Sequence, residues 1–380
     1  MKVLLVCNNI YGRGNGLAAS ARTMARYLAD AGVEVRVLSQ KSSLPDDPVP
    51  YYCLRKFNFP IFQKLIESQS YCFAVADRKI IRKALEWADV VHLEEAFPLQ
   101  WITVNMALRM GVPCVSTFHM YPENISCSLG MGRFRLINAI LLKCFQKTVY
   151  DKCSHIQCPT QNVFDRLGRF HFKPERHLIS NGIRIKEYVV AEAPQTSPYI
   201  ILCVGRFSRE KDQMTLIRSM KYSKYADKIQ LYFAGQGPTG RRLKRAADRI
   251  FDEGIVKYRP EFRFHSPKDL KKIAKKAYLN IHCATVEVEG LSCLEAIREG
   301  VVPVIASGRL SATSQFALDG RSIFPNKDSV TLAARIDWWI EHPEERLAMG
   351  QKYADSARQY DLNKSIAAVI EMYNTALSGK

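Results

Sequence analysis

What most limits the fold of this chain is an alternation of short apolar runs with helical patterns, which halts near residue 190 and then begins again. Residues 3–7 are wholly apolar and too few for a helix, and the segment 8–16 behind them carries three glycines. Residues 17–31 then space their apolar side chains for one helix face, which Gly32 closes. Further strand-length stretches stand at 33–38, 90–93, 113–118, 155–159 and 178–180. Short, mostly apolar strands separated by helical patterns indicate a parallel sheet covered on both faces. After the polar, Pro-bearing segment 191–198 the series restarts, with runs at 199–204, 229–234, 256–258, 279–283 and 302–306. A basic helical stretch covers 240–251, and the chain reads as helical beyond Thr331. The expectation is an α/β chain of two doubly wound parallel-sheet domains, over 1–190 and 199–360. Ligands of such sheets bind at the carboxyl ends of the strands, so the two domains are expected to face a cleft.

At 380 residues the chain is too long for one core, in keeping with two domains. Its net charge of +18 calls for an anionic partner: nucleic acid, an acidic membrane surface or a phosphorylated ligand. Residues 1–190 carry about +10 of that charge, so neither half is a basic tail on a neutral body. The 11 cysteines include no C-x-x-C pair, which predicts free thiols in a reducing compartment and argues against a structural metal. No apolar stretch is long enough to span a bilayer. Residues 1–7 imitate the start of a signal peptide, but the run ends at Asn8 and Asn9 and reads as a first strand. A cytoplasmic chain docked on a membrane is expected.

The chemistry-bearing residues follow the predicted strands. Glu287 and Glu295 lie eight positions apart, one on a Gly-containing loop and one inside the next helix. Gly290 permits close backbone approach, while Leu291 and Ser292 offer amides at a helix start. Carboxylates suit sugar hydroxyls and amides suit phosphate, so the pattern fits a nucleotide sugar. Acidic residues also favour a helix start on electrostatic grounds alone. Gly205 and Arg206 follow a strand and Lys211 opens the next helix, the makings of a diphosphate clamp. Gly12, Gly14 and Gly16 form a Gly-rich turn without the third glycine of a dinucleotide fingerprint, and Ser39 stands where a ribose-binding acid would end the second strand. That turn reads as one that lets a ligand approach. His119 sits just past a strand, with His92, Glu94 and Glu95 as weaker candidates. No Asp-x-Asp metal site is present, and Asp46 and Asp47 fall in a Pro-rich loop. Arg206, Lys211 and helix dipoles would then neutralise a leaving diphosphate without metal or other cofactor.

Two segments mix apolar and basic residues in the manner of helices that lie on anionic bilayers. Residues 57–66 set Phe57, Phe59 and Phe62 beside Arg55, Lys56 and Lys64. Residues 131–149 set Phe134, Leu136, Ile137, Ile140, Leu141, Leu142 and Phe145 among Arg133, Arg135, Lys143 and Lys147. Core helices with solvated basic faces share that composition. No nucleic-acid recognition motif is visible.

These motifs together resemble the retaining GT-B glycosyltransferases of the E-x7-E group, the family 4-like enzymes. The resemblance spans nearly the whole chain and adds Asn181 with Gly182, the run Gly235, Gln236, Gly237, Pro238, and Asp319 with Gly320. It implies two Rossmann-like domains and a final helix, 361–380, that packs back on the first. Arg206 and Lys211 would bind the donor diphosphate, Glu287 the donor sugar, and Glu295 the ribose. Gly290 and Leu291 would supply backbone contacts, with Ser292, Gly14 and Gly16 also at the donor, and His119 would line the reaction centre. Retention would proceed by same-face attack with the leaving phosphate as base. Glu289 departs from the family, which usually has an aromatic residue there. The run 287–297, residues 311–317 and residues 121–125 are most similar to bacterial enzymes that glycosylate diacylglycerol or ceramide. The resemblance thus implies transfer of glucose or galactose from a UDP-sugar to a membrane lipid, at the inner face of the cell membrane. Surface-polysaccharide or lipopolysaccharide assembly on a polyprenyl-linked or soluble sugar acceptor stays open, as does, more remotely, a non-catalytic nucleic-acid-binding module.

Overall fold

The computed structural model describes residues 1–12, 15–40, 49–60, 63–132, 134–185 and 196–379, with only the backbone of Leu65 and Pro267. The chain divides into two compact units, Met1–Gly182 with Leu362–Lys380, and Ile183–Asp361.

Among the described residues, seven parallel strands form the main sheet of the first unit: β1 (Lys2–Val6), β2 (Glu34–Gln40), β3 (Tyr51–Leu54), β4 (Val90–Leu93), β5 (Cys114–Thr117), β6 (His155–Cys158) and β7 (Glu175–Leu178). Their order is β3-β2-β1-β4-β5-β6-β7. Leu5 of β1 pairs with Val37 on one side and His92 on the other. The order therefore reverses between β1 and β4, the switch point where loops diverge and ligands of such sheets bind. Helix α1 (Gly16–Asp30) starts at Asn15, whose side chain accepts from the Leu17 N–H at 3.0 Å. It buries Ala21, Met24 and Leu28 among Val3, Leu5 and Val35. Helix α2 (Arg135–Thr148) is anchored by Leu142 and Phe145.

The second unit repeats the plan with six parallel strands: β8 (Tyr199–Val204), β9 (Ile229–Ala234), β10 (Glu261–Arg263), β11 (Leu279–His282), β12 (Val302–Ser307) and β13 (Ile323–Pro325). Their order, β10-β9-β8-β11-β12-β13, reverses between β8 and β11. Helix α3 (Gly240–Asp252) packs Leu243, Ala247 and Ile250 inward and leaves its basic residues out. Helix α4 (Leu291–Arg298) buries Cys293, Leu294 and Ile297 in the same core as Ile281 and Trp339. The last helix, α5 (Leu362–Ser378), belongs to the first unit. Leu362, Ile366, Val369, Met372 and Tyr373 join the cluster of Val3 and Leu5. Each such fully buried side chain contributes about 1.5–3 kcal/mol, so a charge at Val369 would detach the helix.

Two strand expectations move. Residues 256–258 are not a strand: Val256 is buried against Ile250 at the end of α3, and the ladder on β9 begins after Pro260, with Phe262 opposite Phe233. The run at 178–180 lies too late, because β7 spans Glu175–Leu178 and pairs His155 with Glu175. Both are edge strands whose side chains are mostly polar, so the apolar signal is weak. The connector at 191–198 lies outside the described residues up to 195.

Candidate active site

In the second unit the chain leaves β8 at Gly205, whose φ of +145° no other residue adopts readily. A side chain on Gly235 would run into the Gly205 carbonyl oxygen, so the loops after β8 and β9 approach as only glycine allows. The Phe207 N–H donates to the Gln236 carbonyl at 2.9 Å, and the Thr239 N–H to the Phe207 carbonyl at 3.0 Å. This frame holds Arg206. Its Nη2 donates to Glu210 Oε1 at 2.6 Å, an oxygen that also accepts from Ser208 Oγ at 2.7 Å. Glu210 is buried, and its carbonyl takes the N–H and hydroxyl of Thr285 at 2.7 and 3.0 Å. The loop after β8 is thereby tied to the one after β11.

Lys211 reaches the same place. Its ammonium pairs with Glu287 Oε2, and His282 Nε2 lies 3.4 Å from that oxygen and 3.2 Å from Thr313 Oγ1. Burial works to raise the Glu287 carboxyl, but Lys211 and His282 outweigh it and hold the group well below the usual carboxylate range. Burial lowers His282, with Glu287 partly offsetting it. Glu287 is thus an anion whose Oε2 is held by Lys211 with His282 close by.

Gly290, at φ +84°, turns the chain from Glu287 into α4, and a side chain there would strike Thr313. Cys293 and Leu294 donate to the Gly290 carbonyl at 2.9 and 3.2 Å. The Leu291 and Ser292 N–H groups meet no acceptor among the described residues, so they present the positive end of α4. Glu295, one turn along, is exposed and makes no hydrogen bond among the described residues. The structure therefore gathers Arg206, Lys211, Glu287, Gly290, Leu291, Ser292 and Glu295 onto the switch-point loops of one unit. Glu289, the departure from the family pattern, is buried and within electrostatic reach of Tyr360.

His119 and Gly16 belong to the first unit. His119 Nε2 lies 2.6 Å from Glu94 Oε2, both side chains nearly sealed from solvent. Burial works to raise Glu94, and His92 with His119 reverses this to lower it. Burial lowers His92 to about 4, so the ring is neutral. Thr117 donates to Gln157 Oε1 at 2.8 Å and must accept from His92 Nε2 at 2.7 Å, which leaves Nδ1 to accept from the Tyr373 hydroxyl at 2.6 Å. Glu95 takes Tyr71 Oη at 2.6 Å, the Asn8 N–H at 2.8 Å, Asn8 Nδ2 at 2.6 Å and Gln100 Nε2 at 2.7 Å. Burial still raises its carboxyl. Gly16 opens α1, while Gly14, Asp46 and Asp47 lie outside the described residues.

Sequence reasoning missed Glu210, His282 and Thr313, and passed lightly over Glu94. His282 ends β11 and Glu94 follows β4, so the rule that favoured His119 applied to both. Glu210 and Thr313 had no such signal. The apolar segments divide. Leu142 and Phe145 are core, whereas Phe134 (59%), Leu136 (73%) and Ile140 (59%) are exposed, as is Leu129. Phe57 is exposed too, with its ring 4.7 Å from Phe59, while Ile61, Phe62 and Arg133 lie outside the described residues.

A doubly wound pair of units with cations, a paired glutamate and open helix amides at one switch point is the arrangement of a GT-B glycosyltransferase. Residues 14–187 match the Glycosyltransferase Family 4 profile and residues 185–355 the Glycosyl transferases group 1 profile. Together they cover most of the chain, which belongs to these glycosyltransferases. Among relatives, alpha-monoglucosyldiacylglycerol synthase of Streptococcus pneumoniae is 24% identical over 331 residues, 81% of this chain and 71% of that protein. The enzyme of the same name from Acholeplasma laidlawii is 22% identical over 340 residues, 83% of this chain and 82% of its own. The crystal structure of Anabaena Alr3699/HepE in complex with UDP and glucose aligns at a TM-score of 0.74 with 16% identity, covering 99% of this chain and 100% of that one. That likeness concerns the fold.

Proposed function

We propose that this enzyme moves glucose or galactose from a UDP-sugar to the hydroxyl of a membrane lipid, diacylglycerol or ceramide, with retention of the anomeric configuration. The observation that carries the reading is the Glu287 carboxylate, pinned through Oε2 by Lys211 and His282 next to the open amides of α4. Oε1 accepts donor-sugar hydroxyls, Arg206 and Lys211 meet the diphosphate, and the Leu291 and Ser292 amides add the helix dipole. Exposed Glu295 takes the ribose hydroxyls. Charge on the leaving diphosphate is neutralised by these groups without a metal, and the leaving phosphate oxygen takes the acceptor proton. His119, oriented by Glu94, lines the reaction centre. The lipid acceptor is supported by the two diacylglycerol-glucosylating relatives and by exposed Leu129, Phe134, Leu136 and Ile140 beside Arg135, Lys143 and Lys147. That face sits on anionic lipid at the inner side of the cell membrane. No helix among the described residues is long and apolar enough to cross a bilayer.

The test is a donor-by-acceptor assay with radiolabelled UDP-glucose and UDP-galactose against vesicles of diacylglycerol and of ceramide, with chelator present. Label in an α-linked glycolipid is the expected result. Label confined to a polyprenyl-linked or soluble saccharide, or duplex DNA binding without any donor turnover, would overturn the reading.

A further inference from the structure

We propose that His155, Glu175 and His177 form a binding site for one divalent transition-metal ion, Zn2+ or a close relative, that clips edge strand β7 to β6. His155 opens β6 and pairs in register with Glu175, and His177 is two residues further along β7. A two-residue step returns to the same face of the sheet, so the three side chains stand side by side. His155 Nδ1 lies 2.9 Å from His177 Nε2 and 3.6 Å from Glu175 Oε2, and His177 Nε2 lies 3.8 Å from Glu175 Oε1. Donors spaced in this way surround a point about 2 Å from each, the bond length of Zn2+ to imidazole and carboxylate.

Two imidazoles and a carboxylate are the donor set that suits Zn2+, Co2+, Ni2+ or Cu2+, and the alkaline-earth ions poorly. All three donors stand on two strands paired in register, so they need little reordering. His155 is buried, His177 half-buried and Glu175 exposed, which gives the ion a path in from solvent and leaves a coordination position for water. The expectation against a structural metal rested on cysteine spacing and does not cover this site, because strand pairing brings together histidines 22 positions apart. The cluster also has no part in the transfer chemistry. His155 is level with Val115 at the start of β5, whereas His119 lies beyond the carboxyl end of that strand. An edge strand with a polar sequence has few apolar contacts to hold it, and an ion bridging it to β6 supplies the missing tie.

The experiment uses the untagged full-length chain, stripped with chelator and titrated with Co2+ and then Zn2+. One Co2+ per chain is expected, with a visible d–d band of tetrahedral intensity that Zn2+ displaces. Zn2+ should raise the melting temperature by about 3 °C or more. His177→Gln, and independently the exposed Glu175→Gln, should weaken Co2+ binding at least about tenfold while the chelated variants melt as the chelated wild type does. Titrations of wild type and both variants that coincide would overturn the proposal, as would absence of a bound ion. Glycosyl transfer by the chelated chain at moderate temperature is expected to persist, so this test and that of the transfer reading fail separately.

Discussion

In the first unit the carboxylates that follow β4 meet histidines and neutral donors: His119 on Glu94, and Tyr71, Asn8 and Gln100 on Glu95. In the second unit the carboxylates after β8 and β11 meet full cations, Arg206 on Glu210 and Lys211 on Glu287. The consequences for charge differ. Glu95 is raised by burial despite four hydrogen bonds, whereas Glu287 is driven well down despite burial. Neutral donors organise a pocket without adding field, while cations add a field able to stabilise a departing diphosphate. The same strand order thus serves shape in one unit and electrostatics in the other.

The contrast is broken most sharply at Lys211. Lys211→Ala should lower kcat/KM for transfer about 1,000-fold, because it removes charge at the leaving group and frees the Glu287 carboxyl to rise. Glu287→Ala should match it. Circular dichroism should show either variant folded, and turnover at the wild-type rate by either would remove the second unit's claim to the chemistry.

The next largest effect belongs to His92. Its folded-state pKa, lowered to about 4, lies below the unfolded value near 6.5. The unfolded chain therefore binds the extra proton first, so stability is full above pH 6.5 and declines as pH falls toward 4. The loss reaches about 3 kcal/mol by that arithmetic. Urea unfolding followed from pH 7 to 4.5 should show it, and His92→Gln should flatten the slope. Parallel curves for both proteins would mean that the ring is not held neutral.

Legibility in the sequence followed burial. The central strands β1 and β8 are almost wholly apolar, and β4 and β11 are fully buried with few polar residues, so all four could be read directly. The edge strands β7 and β10 could not, because only register against a neighbour distinguishes them from loop. At the site, Arg206, Lys211 and Glu287 stood out because each follows a strand and carries charge. Their partners are conditional on packing: Thr313 reaches His282 across 31 residues, and Tyr373 reaches His92 across 281. No local pattern encodes such contacts. Gly290 shows the middle case, a glycine legible as a turn whose tightness against Thr313 only coordinates reveal.

A smaller effect separates orientation from charge in the first unit. Glu94→Gln keeps the size of the side chain and a hydrogen bond to His119 but removes the negative charge. Transfer should fall about tenfold, chiefly in kcat, if the charge sets the His119 tautomer. Glu94→Asp, which retains charge at a shorter reach, should recover part of it. An equal loss in both variants would make Glu94 a packing residue.

The smallest expected change concerns the exposed apolar face of α2 in the first unit. Leu136 and Ile140 are four positions apart on α2 and both exposed, so they lie on one side of the helix with Lys143 close by. Leu136→Ser with Ile140→Ser removes apolar surface without touching the buried Leu142 and Phe145 anchors. Binding to vesicles rich in anionic lipid should weaken about five- to tenfold, and transfer to a water-soluble acceptor analogue should not change. High salt should release the wild type partially and the variant fully, since only the basic residues then hold it. If the double variant sediments with vesicles as the wild type does at every salt concentration, α2 is not the docking helix.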